Sequence, residues 1–147
     1  SETLMEPAFK AFYHARNTVD FYADCLPALE RLSSRYPLVA LTNGNADLEQ
    51  TGIARFFTGC ISAKTVGTAK PHAAIFEAAR IHLGFNAEQI LHIGDDPWLD
   101  VEGAQAAGFR SAWINRTQAR WPVELKQADI TVTDLSQLAD LIDEVPA

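Results

Sequence analysis

The stretch LHIGDDPWLDVEGAQAAG, residues Leu91–Gly108, ends an apolar run at a glycine and then sets Asp95, Asp96, Asp100 and Glu102 in close succession. Acids repel one another: two like charges about 4 Å apart cost roughly 4 kcal/mol at an effective dielectric of about 20. A helix N-terminus welcomes one or two acids because of its dipole, but it accounts poorly for Asp95 and Asp96 side by side. A cation is the first candidate to offset the repulsion. Oxygen ligands clustered beside a small turn residue suit Mg²⁺, which keeps several waters and takes one or two protein carboxylates.

Working outward, the apolar ILHIG reads as a buried strand, and WLDVEGAQAAG as a helix closed by Gly108. Upstream, LPALERLSSRY places Leu26, Leu29 and Leu32 at helical spacing, and PLVAL reads as a short strand stopped by the turn-rich TNGN. ADLEQTGIARFF is helix-like, and GCISAKTV is a weaker strand. A helix follows from His72 to Leu83 with Pro71 in its first turn and Ile75, Ala79, Ile81 and Leu83 facing inward. Downstream, RSAWIN and DITVT are strands and LSQLADLIDEV is a final helix. Strand and helix alternate about five times, and the strands are too apolar to leave one face in water. That pattern predicts an α/β fold, a doubly wound parallel sheet in three α/β/α layers. In such sheets ligands bind beyond the carboxyl ends of the strands.

Those ends carry the chemistry. Thr42, Asn43 and Gly44 follow PLVAL, where a hydroxyl and turn amides can grip an anionic oxygen, or can simply cap the next helix. Lys70 stands directly before a helix start, where the dipole disfavours a cation; pairing with a carboxylate or a phosphoryl oxygen would explain it. Asp95, Asp96 and Asp100 follow ILHIG. A hydroxyl, a lysine and a metal site on one rim are the equipment of phosphoryl transfer. His92 alternates inward on its apolar strand and reads as a core residue. Arg116 and Arg120 fall on a loop near the same rim, and Trp98 reads as packing for the helix after GDDP.

Bulk properties narrow the partners. A net charge of −7 over 147 residues argues against nucleic acid, whose phosphates demand a basic face, and against an anionic membrane surface. No apolar run reaches the 18 or so residues of a membrane span. Cys25 and Cys60 form no CxxC, read as two buried free thiols, and point to a reducing, cytoplasmic setting. No GxGxxG follows a strand, which leaves a dinucleotide site without support.

With these residues in view, the chain resembles the haloacid dehalogenase-like hydrolase superfamily over roughly Phe21 to Val145. LVALTNG looks like its second motif, KPHAAIFEAA like its third and LHIGDDPWLDVEGAQAAG like its fourth. The resemblance implies that Thr42 binds phosphate with the Asn43 and Gly44 amides and that Lys70 steadies nucleophile and phosphoryl group. It implies Asp95 as a Mg²⁺ ligand, with Asp96 and Asp100 as accompanying acids that bind through water or orient the lysine. FYADCLPALERL looks like the re-entry into the core in members with a helical cap. Such members are mostly phosphatases of small phosphorylated metabolites, and a minority cleave 2-haloacids; GDD is more like the phosphatases.

The first motif, an apolar strand followed by DxDxT, is not found. Before Thr42 the acids are Glu2, Glu6, Asp20, Asp24 and Glu30, and NTVDFYAD fails the pattern at Tyr22. Without the nucleophile and its partner aspartate the chain alone is expected to be inactive. The sheet is expected to lack its first, central strand, between those ending at Thr42 and Asp95. Residues 1–22 are expected to be a remnant of the helical cap, and 23–147 the C-terminal part of the core. The sheet would be filled by an N-terminal segment or by a second copy in a homodimer. The alternatives to a Mg²⁺-dependent phosphohydrolase are an inactive scaffold module and a 2-haloacid dehalogenase relative.

Overall fold

A computed structural model describes residues 23–43 and 52–144; the expected cap remnant over 1–22 lies outside them, as does Gly44. In chain order the elements are α1 (Cys25–Arg35), β1 (Val39–Thr42), β2 (Gly59–Ser62), α2 (Ala63–Val66), α3 (Ala73–Leu83) and β3 (Leu91–Gly94). A wide π-helical turn, Pro97–Glu102, leads into α4 (Gly103–Ala106); β4 (Arg110–Ile114), β5 (Ile130–Val132) and α5 (Leu135–Asp143) complete the chain. No described helix is long and apolar enough to cross a membrane.

All described strands run parallel. β1 pairs with β2 from Val39↔Gly59 to Thr42↔Ser62, and β3, β4 and β5 form a second ladder in that order. Among the described residues no ladder joins β1 to β3. The two ladders nonetheless share their covering layers, because side chains alternate along a strand. Leu38 and Ala40 join Leu91, Ile93, Ala112 and Ile114 beneath α1 and α5. Val39, Leu41 and Ile90 face Ile75, Phe76, Ala79, Ala104 and Phe109 on the other side. The result is the expected three-layer α/β/α arrangement, with β1 and β3 buried along their whole lengths.

Several local expectations shift. On α3 the buried residues are Ile75, Phe76 and Ala79, while Ile81 is 64% exposed. At about 100° per residue, Ile81 falls opposite the middle of the Ile75–Phe76–Ala79 stripe. Leu26, one step off the Cys25–Leu29–Leu32 stripe of α1, is likewise exposed. GCISAKTV is strand only to Ser62, whose side chain caps α2 by accepting from the Thr65 N–H at 3.2 Å. Pro71 stands before its helix, and His72 is the cap, its Nδ1 accepting from the Ala74 N–H. Of ADLEQTGIARFF the described part is a short 3₁₀ turn, Ala54–Phe56. Cys25 is buried, but Cys60 lies exposed on β2, at the edge of its described ladder.

The outer layer is tied together through Asp24. Its carboxylate accepts from Arg116 Nη1 and Nη2 at 2.9 and 3.0 Å and from the Leu135 N–H at 2.8 Å. One acid thus joins the start of α1, the loop after β4 and the first turn of α5, where the helix dipole favours negative charge. Arg116, on the loop near the rim, is held by this pair. Burial alone would raise the Asp24 carboxyl, but the Arg116 hydrogen bonds, the Leu135 N–H and the guanidinium charge outweigh it and hold it below its ordinary 3.8. A depressed carboxyl stabilises the fold above its unfolded value, and that contribution fades as pH falls through the folded value. Arg116→Leu is therefore expected to lower unfolding free energy at pH 7 by about 1–3 kcal/mol. In urea melts at stepped pH, the gap to the unsubstituted protein should narrow below about pH 4 and close on further acidification.

Candidate active site

The ends of β1 and β3 and the turn before α3 converge through a set of hydrogen bonds. Thr42, the last residue of β1, is fully buried. Asn43 follows, and its side chain grips the Lys70 peptide at both ends: Oδ1 accepts from the Lys70 N–H at 2.7 Å and Nδ2 donates to the Lys70 carbonyl at 3.2 Å. The end of β1 and the turn before α3 are thereby joined by a side chain whose residue reads from sequence as a turn amide or a helix cap. Fixed in this way, Lys70 is buried, at 5% exposure.

Its ammonium donates to Asp100 Oδ1 at 2.6 Å. Asp100 is 2% exposed and fully engaged: His92 Nε2 lies 3.0 Å from the same Oδ1, and the Asp96 N–H donates to Oδ2 at 3.1 Å. Burial opposes ionisation of Asp100, but the His92 hydrogen bond and the charge and hydrogen bond of Lys70 prevail, so the carboxyl sits far below its usual range. His92, 1% exposed, moves the other way: burial pushes its pKa down and the Lys70 charge adds to that, against the pull of Asp100. The expectation of a core histidine holds, with a polar partner that the strand pattern did not reveal.

Local backbone explains how Asp100 reaches back to β3. Asp96 caps the wide turn, its Oδ1 accepting from the Trp98 and Leu99 N–H groups at 2.9 Å each. The Val101 N–H then bonds to the Asp96 carbonyl five residues back, at 3.3 Å, and such a π-type turn is a frequent feature of functional sites. The turn lays the Asp100 carboxylate directly on Gly94: a Cβ there would lie 2.2 Å from Cγ. Only a glycine fits, and its position just before the acid pair was the available sequence signal.

The acids gathered in the sequence are thus divided by the fold. Asp96 is a helix cap, Asp100 is paired with Lys70, Glu102 is exposed, and among the described residues no three metal-binding side chains form a cage. Asp95 differs from all of them. It is exposed, and its carboxylate makes no hydrogen bond or ion pair among the described residues. Its backbone is nevertheless anchored, because the buried Trp113 donates from Nε1 to the Asp95 carbonyl at 2.9 Å and packs edge-on against Trp121 at 4.7 Å. A single anchored carboxylate open to water is a donor set that suits Mg²⁺, which keeps most of its waters.

A family profile described as haloacid dehalogenase-like hydrolase matches residues 3–108. The chain belongs to the haloacid dehalogenase-like hydrolases. Among relatives of this hydrolase, the 5-amino-6-(5-phospho-D-ribitylamino)uracil phosphatase YigB of Escherichia coli (strain K12) is 35% identical over 67% of the chain and 42% of its own length. A 2-haloacid dehalogenase structure from Pseudomonas syringae pv. Tomato DC3000 superposes with a TM-score of 0.83 at 33% identity, covering 87% of this chain and 55% of that one. The HAD-hydrolase YfnB of Bacillus subtilis, solved bound to magnesium, shares the fold at a TM-score of 0.77 and 23% identity, over 83% of this chain and 56% of its own. The chain thus spans about half the length of these relatives. Phosphatases and dehalogenases both stand among them, and in this chain Thr42, Asn43, Lys70, Asp95 and Asp100 gather beyond the carboxyl ends of the strands.

Two outcomes follow from the packing. Gly94→Ala should shift the urea midpoint downward, by about 1–3 kcal/mol of overpacking, with an unchanged denaturant slope. Lys70→Met leaves Asp100 buried without its cation and should cost about 3–5 kcal/mol, whereas the double variant Lys70→Met/Asp100→Leu should recover much of that loss. Additive losses in this double-mutant cycle would contradict the pairing.

Proposed function

We propose that this hydrolase is a Mg²⁺-dependent phosphohydrolase acting on a small phosphorylated metabolite through an aspartyl-phosphate. The nucleophilic aspartate would come from a strand outside the described residues, entering between β1 and β3 from an upstream segment or a second copy. The observation that carries the reading is the separation of roles among the acids: Asp100 is spent on Lys70, while Asp95 keeps an anchored, water-facing carboxylate free for a metal. Dehalogenation of a 2-haloacid needs no metal, so such a carboxylate favours the phosphatase.

In this reading the Thr42 hydroxyl and the Asn43 and Gly44 amides bind the phosphoryl oxygens, and amide donors aimed at a developing charge act most strongly where water is excluded. Lys70, held by Asn43 at its backbone and by Asp100 at its ammonium, keeps a fixed positive charge between nucleophile and phosphoryl group. Asp95 would hold Mg²⁺, which when bound supplies neutralisation of the phosphoryl charge. A second reading, a 2-haloacid dehalogenase, has the likeness to the Pseudomonas syringae structure in its favour.

The test is release of phosphate from p-nitrophenyl phosphate and of chloride from 2-chloropropionate, with and without Mg²⁺, by the chain alone and with the upstream segment supplied. Expected is metal-dependent phosphate release that needs the added segment and falls at least about 100-fold in Asp95→Asn. Metal-independent chloride release would favour the dehalogenase. Absence of both with the segment present would leave a scaffold module. Phosphate release by the chain alone would refute the external nucleophile.

A further inference from the structure

We infer that His92 is a positioning residue for Lys70, acting through Asp100 as a neutral imidazole that donates from Nε2 to Asp100 Oδ1. What Lys70 then does to a substrate rests on the phosphohydrolase reading, but the positioning itself rests on geometry alone.

A lysine ammonium is a point charge on a flexible stem with three rotatable donors. One bond to a carboxylate that can itself rotate does not aim it. Asp100 is prevented from rotating by donors on both oxygens, Lys70 and His92 on Oδ1 and the Asp96 N–H on Oδ2, and by Gly94 beneath the carboxylate. Of the two side-chain donors on Oδ1, His92 is the rigid one. It projects from β3, its ring meets Phe76 edge-on at 5.1 Å and 82°, and Phe76 in turn meets Phe109 at 5.6 Å and 87°. Charge agrees with this assignment. With Asp100 ionised and Lys70 charged, the buried cluster is neutral only if the imidazole carries no charge, and a second cation would face Lys70 across one oxygen. An aliphatic residue at position 92 would fill the space equally well in a strand that is otherwise Leu91, Ile93 and Gly94; the imidazole adds a directed donor.

The test reads Lys70 directly, in the chain as it stands, by the rate at which its ammonium is methylated under limiting formaldehyde and reductant, followed by peptide mass. Three variants are compared: His92→Leu, which deletes the donor; His92→Gln, whose amide nitrogen can take the place of Nε2; and Phe76→Leu, which loosens the packing but keeps the imidazole. Expected is slow labelling in the unsubstituted chain, in His92→Gln and in Phe76→Leu, and labelling faster by about tenfold or more in His92→Leu, each folded by circular dichroism. In protein that releases phosphate, His92→Leu should lower kcat about 10–100-fold with KM little changed, and His92→Gln should restore most of it. Equal labelling in His92→Leu and the unsubstituted chain would overturn the inference, as would acceleration in Phe76→Leu matching that in His92→Leu. A phosphatase assay that fails throughout, with the labelling contrast intact, would count against the phosphohydrolase reading and support the positioning.

Discussion

A lysine and an aspartate, both nearly removed from water, meet at 2.6 Å in the interior of the rim, and the rest of the site is arranged around that pair. Withdrawing two charges from water costs several kcal/mol per ion even after relaxation, so the pair persists only because every neighbouring feature serves it. Asn43 fixes the lysine backbone, His92 and the Asp96 N–H hold the carboxylate, and Gly94 leaves the room in which the carboxylate lies. A buried pair of this kind is poor evidence of stability in itself, because an apolar replacement often does as well. Its value lies in fixing where a cation sits.

The architecture provides that place by ending strands together. Parallel pairing brings the ends of β1 and β2 level, at Thr42↔Ser62, and those of β3 and β4 level, at Gly94↔Trp113. Residues that immediately follow the strands then share one rim without any local sequence relationship. Trp113, at the end of β4, reaches across to the Asp95 carbonyl, so even the exposed acid is carried on a braced backbone. The layers on either side draw residues from both described ladders, and it is this shared packing that keeps the β1 and β3 ends in one site.

Much of this was legible in the sequence, for identifiable reasons. Strand positions followed from apolar runs stopped at TNGN and GDD, and the parallel sheet from strands with no polar face. Of the three strand ends singled out, the structure brings the first two together through Asn43 and Lys70 and ties the third to them through Asp100. Periodicity failed where a single hydrophobic residue was assigned without its angular position, as at Ile81 and Leu26. It also gave no account of the turn after Asp96, because a π-type bond pattern has no period to detect.

The sequence by itself determined the layer order and the main strands and helices, because hydrophobic spacing and turn residues act over a few neighbours. Only the tertiary structure decided which acid does what. Asp95, Asp96 and Asp100 are chemically alike in the sequence; Asp96 takes its partners from the turn amides just after it, whereas Trp113 at the Asp95 backbone and Lys70 at the Asp100 carboxylate come from elsewhere in the chain. The same holds for Asn43, which reads as a turn residue and serves as the tie to Lys70. A side chain's charge is local information. Its environment is fixed by residues tens of positions away, which only the folded chain brings within reach.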